Sequence, residues 1–476
     1  EISKVTSTTT NVNFYPSIEA INIPSDFNLV MTENTHLRTF PNNKADGRLI
    51  AFRDVSNSSI QGGNLYGDRE EHDYSQHPAG EGGNHLMEIH GSNDIVVDGV
   101  KMSMGSKGGL FINALNFTFQ SNYDPSYNIL IKNCVFEKNR RMSVALTDGH
   151  DIIFENNQFI DTALETSNSD GGVVGFAFNI EPVRKRDEVT NELIYYEKVE
   201  NVIFRNNIES GSRVGAFNIY IGDNIVVENN NFENKVNWSY PSNSKVRNNT
   251  FKASPSSKTS PAVSAGGAGD TVFNNEISGN DISGYDVGIS AYHRSIKIFD
   301  NKVEDFSTGI QIKKAIDLEI YNNTFTSSRS ASRGIMAHVT WADNIDIYEN
   351  IVDVKSDPVY FIASNLDEEA RNYTLTVRNN EFYSPKKLTF ESFRGLIFKN
   401  NETNTGLQFM DVENISVENN QINAANSHGI SLRNLNKEVV LKSNTISVLA
   451  NSNYLCIKDS SDSASTVSIS STQCTD

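Results

Sequence analysis

The sequence predicts an all-β solenoid: short strands wound into stacked coils behind an N-terminal cap. Three observations lead there. The phrase at residues 151–159, DIIFENNQF, joins a short apolar run to a charged residue and two asparagines, and it returns as NVIFRNNIE, NIVVENNNF, SKVRNNTF, DTVFNNEI, DLEIYNNTF, LTVRNNEF, GLIFKNNET and NISVENNQI. Where copies are consecutive the interval is roughly 19 to 30 residues, the mark of a repeat architecture. The runs between copies are three to six residues rich in Val, Ile and Phe, bounded by Gly, Asn, Asp or Ser, without sustained helical period. They are too short to pair as hairpins within a coil, so stacking coil on coil in register makes the strands parallel.

Residues 1–27 read as an entry segment with a short capping helix near 17–20, because the first core layer of a solenoid needs a cover. Coils follow at 28–40, 49–65, 86–104, 110–136 and 143–159, and residues 28–476 read as one solenoid domain. The asparagine pairs beginning at Asn156, Asn206, Asn229, Asn248, Asn274, Asn322, Asn379, Asn400 and Asn419 are expected at one corner. Asparagine tolerates left-handed backbone, and its amide can bond its counterparts above and below. Cys134 follows a repeat asparagine and is expected as a buried packing residue. Cys456 and Cys474 lie about one coil apart, so a disulfide is expected to tie down the last turn.

Composition narrows the partners. Net charge is −18, which excludes nucleic acid as a general ligand because phosphate binding needs a basic face. No apolar run approaches the roughly 18 residues of a membrane span. The chain opens at Glu1 without a basic and apolar leader. With the disulfide, that leads to the expectation of a mature secreted, periplasmic or cell-surface protein, monomeric and free of membrane. An anionic ligand would need a local basic groove.

The repeat is interrupted at 66–85 (YGDREEHDYSQHPAGEGGNH), at 161–199, which contains NIEPVRKRDEVTNELIYYEK, and at 365–371 (NLDEEAR). Long loops on a rigid scaffold are where sites gather. The chain as a whole resembles the right-handed parallel β-helix superfamily of polysaccharide-active proteins. Within it, residues 67–75, the turn 107–109, the run Asn139, Arg140, Arg141 and the strand end Ile180, Glu181, Pro182 resemble a recurring pattern of secreted and phage-borne members. One departure stands out: Lys107 occupies a turn where an aspartate is familiar. The resemblance implies glycan chemistry, and the β-helix type of alginate lyase is the likeness it favours. The superfamily hosts several reactions, so the residues must choose among them.

Neighbouring strands lie about 4.8 Å apart, so matching positions in successive coils form a ladder. Lys107, Arg140, Arg141, Glu181, Asn218 and Tyr220 lie near or on strands that open coils, and Tyr292, His293, Gln311, Lys313 and His338 follow in later ones. Lys, Arg, His and Tyr dominate this set in an acidic chain, as an acidic polysaccharide requires. Elimination from a polyuronate needs a cation on the carboxylate, a base for the C5 proton and an acid for the leaving O4. The expectation is that Tyr74 and Lys107 face each other over one glycosidic bond while Arg140 and Arg141 hold the carboxylate. His72, His85, Glu181, Lys185, Asn218, Tyr220, Tyr292, His293, Lys313 and His338 are expected to bind sugar. Each has a plainer reading: Tyr74 as loop packing, Lys107 as an exposed turn lysine, one arginine paired to a carboxylate, Glu181 as an ion-pair partner. Hydrolysis stays open through Glu181 with Asp73 or Glu88, given two carboxyls about 5–5.5 or 6.5–9.5 Å apart. A non-catalytic adhesin or tailspike module also fits the ladder. No cofactor is required. Glu70, Glu71, His72 and Asp73 come nearest to a calcium or transition-metal site, but a solvated loop is the plainer reading of them.

Overall fold

The computed structural model describes residues 14–15, 19–76, 82–267, 271–363, 374–434, 436–450 and 452–475, with the side chains of 293, 315 and 340–342 also outside the described set. The chain divides into two compact units, residues 1–250 and 251–476. Both are parallel β-helices, as the period and strand lengths predict. In the first unit, Gly47–Arg53, Asn84–His90, Gly108–Asn113, Met142–Leu146, Phe176–Ile180 and the start of Gly215–Glu228 pair in parallel as one face. Ser56–Gln61, Asn93–Asp98, Tyr127–Lys132, Gly149–Glu155, Val199–Arg205 and the end of Gly215–Glu228 make a second. Three-residue strands such as Lys101–Ser103, Val135–Glu137 and Gln158–Ile160 make the third. The second unit repeats the arrangement; Thr308–Tyr321, for example, pairs in parallel with Val287–Phe299 and Arg333–Tyr348. Among the described residues no helix is long and apolar enough to cross a membrane.

The core is a set of apolar columns. Phe52, Ile89, Ile112, Leu146, Ile180, Ile219 and Trp238 stand in one register and are buried. Phe136 stacks on Phe159 at 4.9 Å and Phe178 on Phe217 at 4.6 Å. Each such side chain contributes about 1.5–3 kcal/mol of burial, repeated coil after coil.

The corner between second and third faces is the most regular feature. From residue 61 onward it is two residues long in each described coil. The first residue has positive φ: Asn156 at 57°, Asn206 at 55°, Asn322 at 53°, Asn419 at 54°, and, where asparagine is absent, Gly62, Gly99, Gly279, Asp300, Glu349, Ser443 or Ser471. The second carries the amide ladder. In the first unit it runs through Asn157, Asn207, Asn230 and Asn249, each backbone N–H and side-chain N–H donating to the next Oδ1 at 2.8–3.1 Å. In the second it runs from Asn280 through Asn301, Asn323, Asn350, Asn380, Asn401 and Asn420 to Asn444. The pair therefore divides two jobs expected of one residue. Asn274 corrects the reading: it has φ 55°, but Asn275 opens the strand Asn275–Ser278, and the corner falls at Gly279 and Asn280. Cys134, a free buried thiol, sits at a ladder position, its N–H donating to Asn157 Oδ1 at 2.9 Å.

The expected disulfide joins Cys456 to Cys474. Of the expected capping helix, residues 17–18 lie outside the described set, and Glu19 is in a turn before the strand Ile21–Asn22. The interruption at 365–371 also lies outside it. The interruption at 161–199 proves to be two insertions with a coil strand, Phe176–Ile180, between them.

The division of labour predicts opposite responses at one corner. Asn420→Ala leaves the amides and carbonyls of neighbouring coils unanswered and should cost about 1–3 kcal/mol. Asn419→Gly keeps the left-handed backbone and should stay within about 0.5 kcal/mol of wild type. Denaturant unfolding of the two variants checks this.

Candidate functional site

The first face of the first unit lies between two walls. On one side, residues 67–76 and 161–175 are tied together: buried Arg69 donates to the Lys138 carbonyl at 2.6 Å, to Ser169 Oγ at 3.2 Å and to the Leu164 carbonyl. The loop is pinned at its ends because no side chain fits there. A Cβ at Gly67 would lie 2.1 Å from the Met104 carbonyl oxygen, and Gly83, at φ 130°, would meet the Ser106 backbone at 2.7 Å. Inside the loop Asp68 accepts from Ser106 Oγ and pairs with His72 Nδ1, both at 2.7 Å. Burial pushes the Asp68 carboxyl up, but hydrogen bonds from His72, Ser106 and Asn84 outweigh it and hold it below its ordinary value. The opposite wall is residues 114–126 against the hairpin of Arg184–Arg186 and Leu193–Tyr195. There the Thr118 N–H donates to the Tyr196 carbonyl at 3.1 Å, and Phe117, Phe119 and Tyr196 pack edge and face.

Between the walls, outward side chains fall into register rows. One row is Ala51, Glu88, Phe111, Ala145, Asn179, Asn218 and Asn237. Its asparagines form a chain: Asn237 donates to Asn218, Asn218 to Asn179, and Asn179 to Glu181 Oε2, each at 2.7 Å. The row two residues on begins Arg53, His90 and Asn113.

A charged cluster occupies the first coils of this face. Lys107 Nζ meets Asp46 Oδ1 at 2.9 Å, Arg48 meets Asp46 Oδ2 at 2.9 Å, and Arg48 Nε lies 2.9 Å from Glu88 Oε2. Tyr15 closes over the cluster. Its hydroxyl donates to Glu88 at 3.1 Å and accepts from Arg53 at 2.8 Å, and Arg48 covers its ring at 4.0 Å. His85 is buried and stacked on Phe111 at 5.2 Å. Burial first, then Lys107, Arg141 and Arg48, hold His85 well below the ordinary imidazole value, so it is neutral. Its Nδ1 is buried with no hydrogen-bond partner. Burial pushes Glu88 up to about 7 against the pull of Arg48, with Asp46 adding to the rise. Asp46 itself is raised by burial but held below its ordinary value by Lys107 and Arg48. His90 is pressed down to about 3 by burial and by Arg53.

The structure brings Lys107, His85 and Arg141 together and redirects other expected residues. Tyr74, in the turn Tyr74–Gln76, does not face Lys107. Its ring lies 3.9 Å beneath the Arg140 guanidinium, its hydroxyl donates to the Arg69 carbonyl at 3.0 Å, and burial pushes it up to about 12. Arg140 pairs with Asp170 at 2.6 Å and so braces the wall. His72 is closed inside the loop on Asp68 rather than lining the groove. Glu71 pairs with Arg38 and Asp73 caps Ser75. Among the described residues no group of His, Cys, Asp and Glu gathers to hold a metal.

The single ladder expected through Lys107, Arg140, Arg141, Glu181, Asn218 and Tyr220 is corrected by register. Lys107 and Arg141 precede their strands, Asn218 stands in the Glu88 row, and Glu181 follows the end of Phe176–Ile180. Exposed Tyr220 meets Tyr240 edge-on at 5.9 Å, with Arg184 5.0 Å over Tyr240, and Lys185 lies over Tyr196 at 5.8 Å. Tyr292, Lys313 and His338 belong to the second unit, and the His293 side chain lies outside the described residues. There a bulge pairs Tyr292 with Lys314, whose Nζ is 5.0 Å over its ring; Lys313 is the extra residue, and His338 stands opposite Ile362.

Sequence reasoning missed Tyr15, Asp46, Arg48, Arg53 and His90. Arg48 and Arg53 bracket the apolar run LIAF and could have been found as outward neighbours of a core strand. Tyr15 had no signal, since it sits 73 residues from Glu88 in a segment read as a cap.

Comparison with known proteins gives likeness without assignment. The family model described as a right handed beta helix region matches residues 192–352. The chain is 24% identical over 356 residues to the uncharacterized protein YclG of Bacillus subtilis (strain 168), covering 72% of this chain and 59% of that protein. Thus the chain spans little more than half of that relative. Among solved structures it is similar to the pre-mature bacteriophage phi29 gene product 12, at 12% identity and a TM-score of 0.48 over 95% of this chain and 68% of that one. It is also similar to the alginate lyase of Paenibacillus sp. str. FPU-7, at 11% identity and a TM-score of 0.40 over 67% of this chain and 98% of that one.

The Glu88 environment yields a signed pH dependence. Its folded value near 7 lies above its ordinary 4.5, so the stabilisation is complete below about pH 4.5 and is lost as pH rises to about 7. Glu88→Gln should flatten unfolding free energy across that window and be the more stable form at pH 8, by on the order of 2–3 kcal/mol. Denaturant titrations at a series of pH values check it.

Proposed function

We propose that this chain is a secreted, periplasmic or cell-surface polysaccharide lyase that cleaves an acidic, uronate-containing glycan on the first face of residues 1–250. The observation that carries the reading is His85, a neutral imidazole with an unpartnered Nδ1 among Lys107, Arg141 and Arg48. Elimination next to a carboxylate needs that combination: cations that hold the carboxylate and acidify the neighbouring C–H, and a base that is not already protonated.

In the proposed reaction Arg141 holds the uronate carboxylate, and Arg48, committed to Asp46 and Glu88, adds to the positive field around it. His85, whose buried Nδ1 has to be uncovered as the sugar binds, takes the C5 proton, the electron pair forms the C4–C5 double bond, and the C4–O4 bond breaks. Lys107, the largely buried cation beside Asp46, delivers a proton to the departing O4. Tyr220 and Tyr240 offer exposed ring faces to sugars further along, beside the directed amides of Asn218 and Asn179. The named activity of the alginate lyase neighbour makes alginate the first substrate to try. The disulfide suits an oxidising compartment. Hydrolysis is the weaker reading because Glu88 Oε2 already serves Tyr15 and Arg48.

The test is ultraviolet absorbance of the unsaturated uronate formed at each new non-reducing end, with alginate, pectate, hyaluronan and glucuronan as substrates. His85→Gln and Lys107→Ala should each lower the rate by roughly 10²- to 10⁴-fold with unfolding midpoints unchanged. Because His85 is held below its ordinary value, the rate should persist as pH falls through 6.5. New reducing ends without absorbance would replace elimination with hydrolysis, and glycan retention without either signal would make the chain a binding module.

A further inference from the structure

The last coils of the second unit carry a basic cluster that the first face does not use. Thr389, Gln408, Ser431 and Lys458 stand in one register row. Lys387 reaches across two coils to that row, its Nζ donating to Ser431 Oγ at 2.7 Å. Arg433, two residues beyond Ser431, is exposed on the same strand, Ile430–Asn434. His428 lies just before that strand. Its Nδ1 accepts the Leu455 N–H at 2.9 Å, so its Nε2 is the donor, and its ring meets Tyr454 edge-on at 5.6 Å.

Several outward cations are paired with acids on neighbouring strands, as in Arg205 with Glu155, Arg247 with Glu228 and Arg378 with Asp346. Lys387, Arg433 and Lys458 form no ion pair among the described residues. Nearby acids have other partners: Asp459 Oδ1 accepts the Ser461 N–H, Asp411 accepts from Asn434, and Glu391 bonds with Tyr360. The four basic groups share one space. Burial and then Arg433 and Lys458 lower the Lys387 ammonium, and burial followed by Lys387, Lys458 and Arg433 lowers His428. A chain of net charge −18 thus carries a patch of basic groups without ion pairs among the described residues, beside the Tyr454 ring.

We propose that Lys387, His428, Arg433 and Lys458 bind the carboxylate of a uronate sugar, with Tyr454 beside the ring, as a second glycan site distinct from the first-unit face. The uronate identity rests on the function proposed above. The anion-binding character rests on the cluster alone. Such a site retains a long polymer between turnovers without touching the bond that is cut.

The experiment measures binding of a uronate tetrasaccharide, a sulfated tetrasaccharide and a neutral tetrasaccharide to the full chain by calorimetry, in a His85→Gln background so that none is consumed. Arg433→Gln and Lys387→Met should each weaken uronate binding at this site at least about tenfold, with neutral sugar indifferent and the loss greatest at low salt. Arg433 is exposed, so its variant keeps the fold, and unchanged unfolding midpoints verify both. Uronate binding unaltered in both variants overturns the site. Tighter binding of the sulfated sugar overturns the uronate assignment. Absence of unsaturated products from wild type, with uronate binding still sensitive to Arg433, removes the proposed reaction and leaves this site standing.

Discussion

Everything in this molecule depends on peptide hydrogen bonds running between coils rather than within them. A parallel strand cannot be closed by a tight hairpin, so each coil must return through two further faces before meeting its own pairing edge. Three corners per turn follow, and each corner exposes backbone groups that a buried site would leave unanswered. The asparagine ladder answers them at one corner. Each amide donates up the stack and accepts from below, so a coil is complete only when its neighbours are present. Stability of this kind is shared among coils, and it leaves outward positions free to carry charge.

The first face uses that freedom. Cations and carboxyls there are held by strands whose inward neighbours are locked in apolar columns, so their spacing is set by the 4.8 Å or so between strands. Groups that would neutralise one another in water are kept in unlike states: Asp46 ionised beside Lys107, Glu88 shared between forms near neutrality, His85 uncharged amid cations. The two walls come from insertions at different corners, which is why the trough has an aromatic bank and a hydrogen-bonded bank.

The fold was legible because its signal is repetitive: a strand period, a paired asparagine and an absence of helical spacing all recur. The Asn274 pair misled for a physical reason. The chain has a second left-handed position five residues before the corner, as at Asp151 and Asn156 or Asn201 and Asn206, and asparagine suits both. The site was legible only in part. His85 ends the loop at 66–85 that breaks the repeat, and that break located it, whereas Lys107 was found as the odd residue of a turn one coil on. Tyr74, in that loop, and Arg140, in a turn two coils on, pack against each other as part of the wall, since sequence does not say which side of a loop is its floor. Tyr15 contacts the face from far away in sequence, and no periodicity reaches it.

The two-residue corner has a consequence for how such a chain can change over time. Residues 114–126, 161–175 and 181–198 all enter at the other two corners. Length added there alters no coil's alignment with the next, whereas one residue added at the asparagine corner would take that coil's amide out of line with its neighbours on both sides. Natural drift and laboratory grafting alike therefore have two open ports per coil and one that is sealed. A new binding loop is best spliced where a first-face strand begins or ends, as the hairpin at Arg184–Arg186 and Leu193–Tyr195 already is.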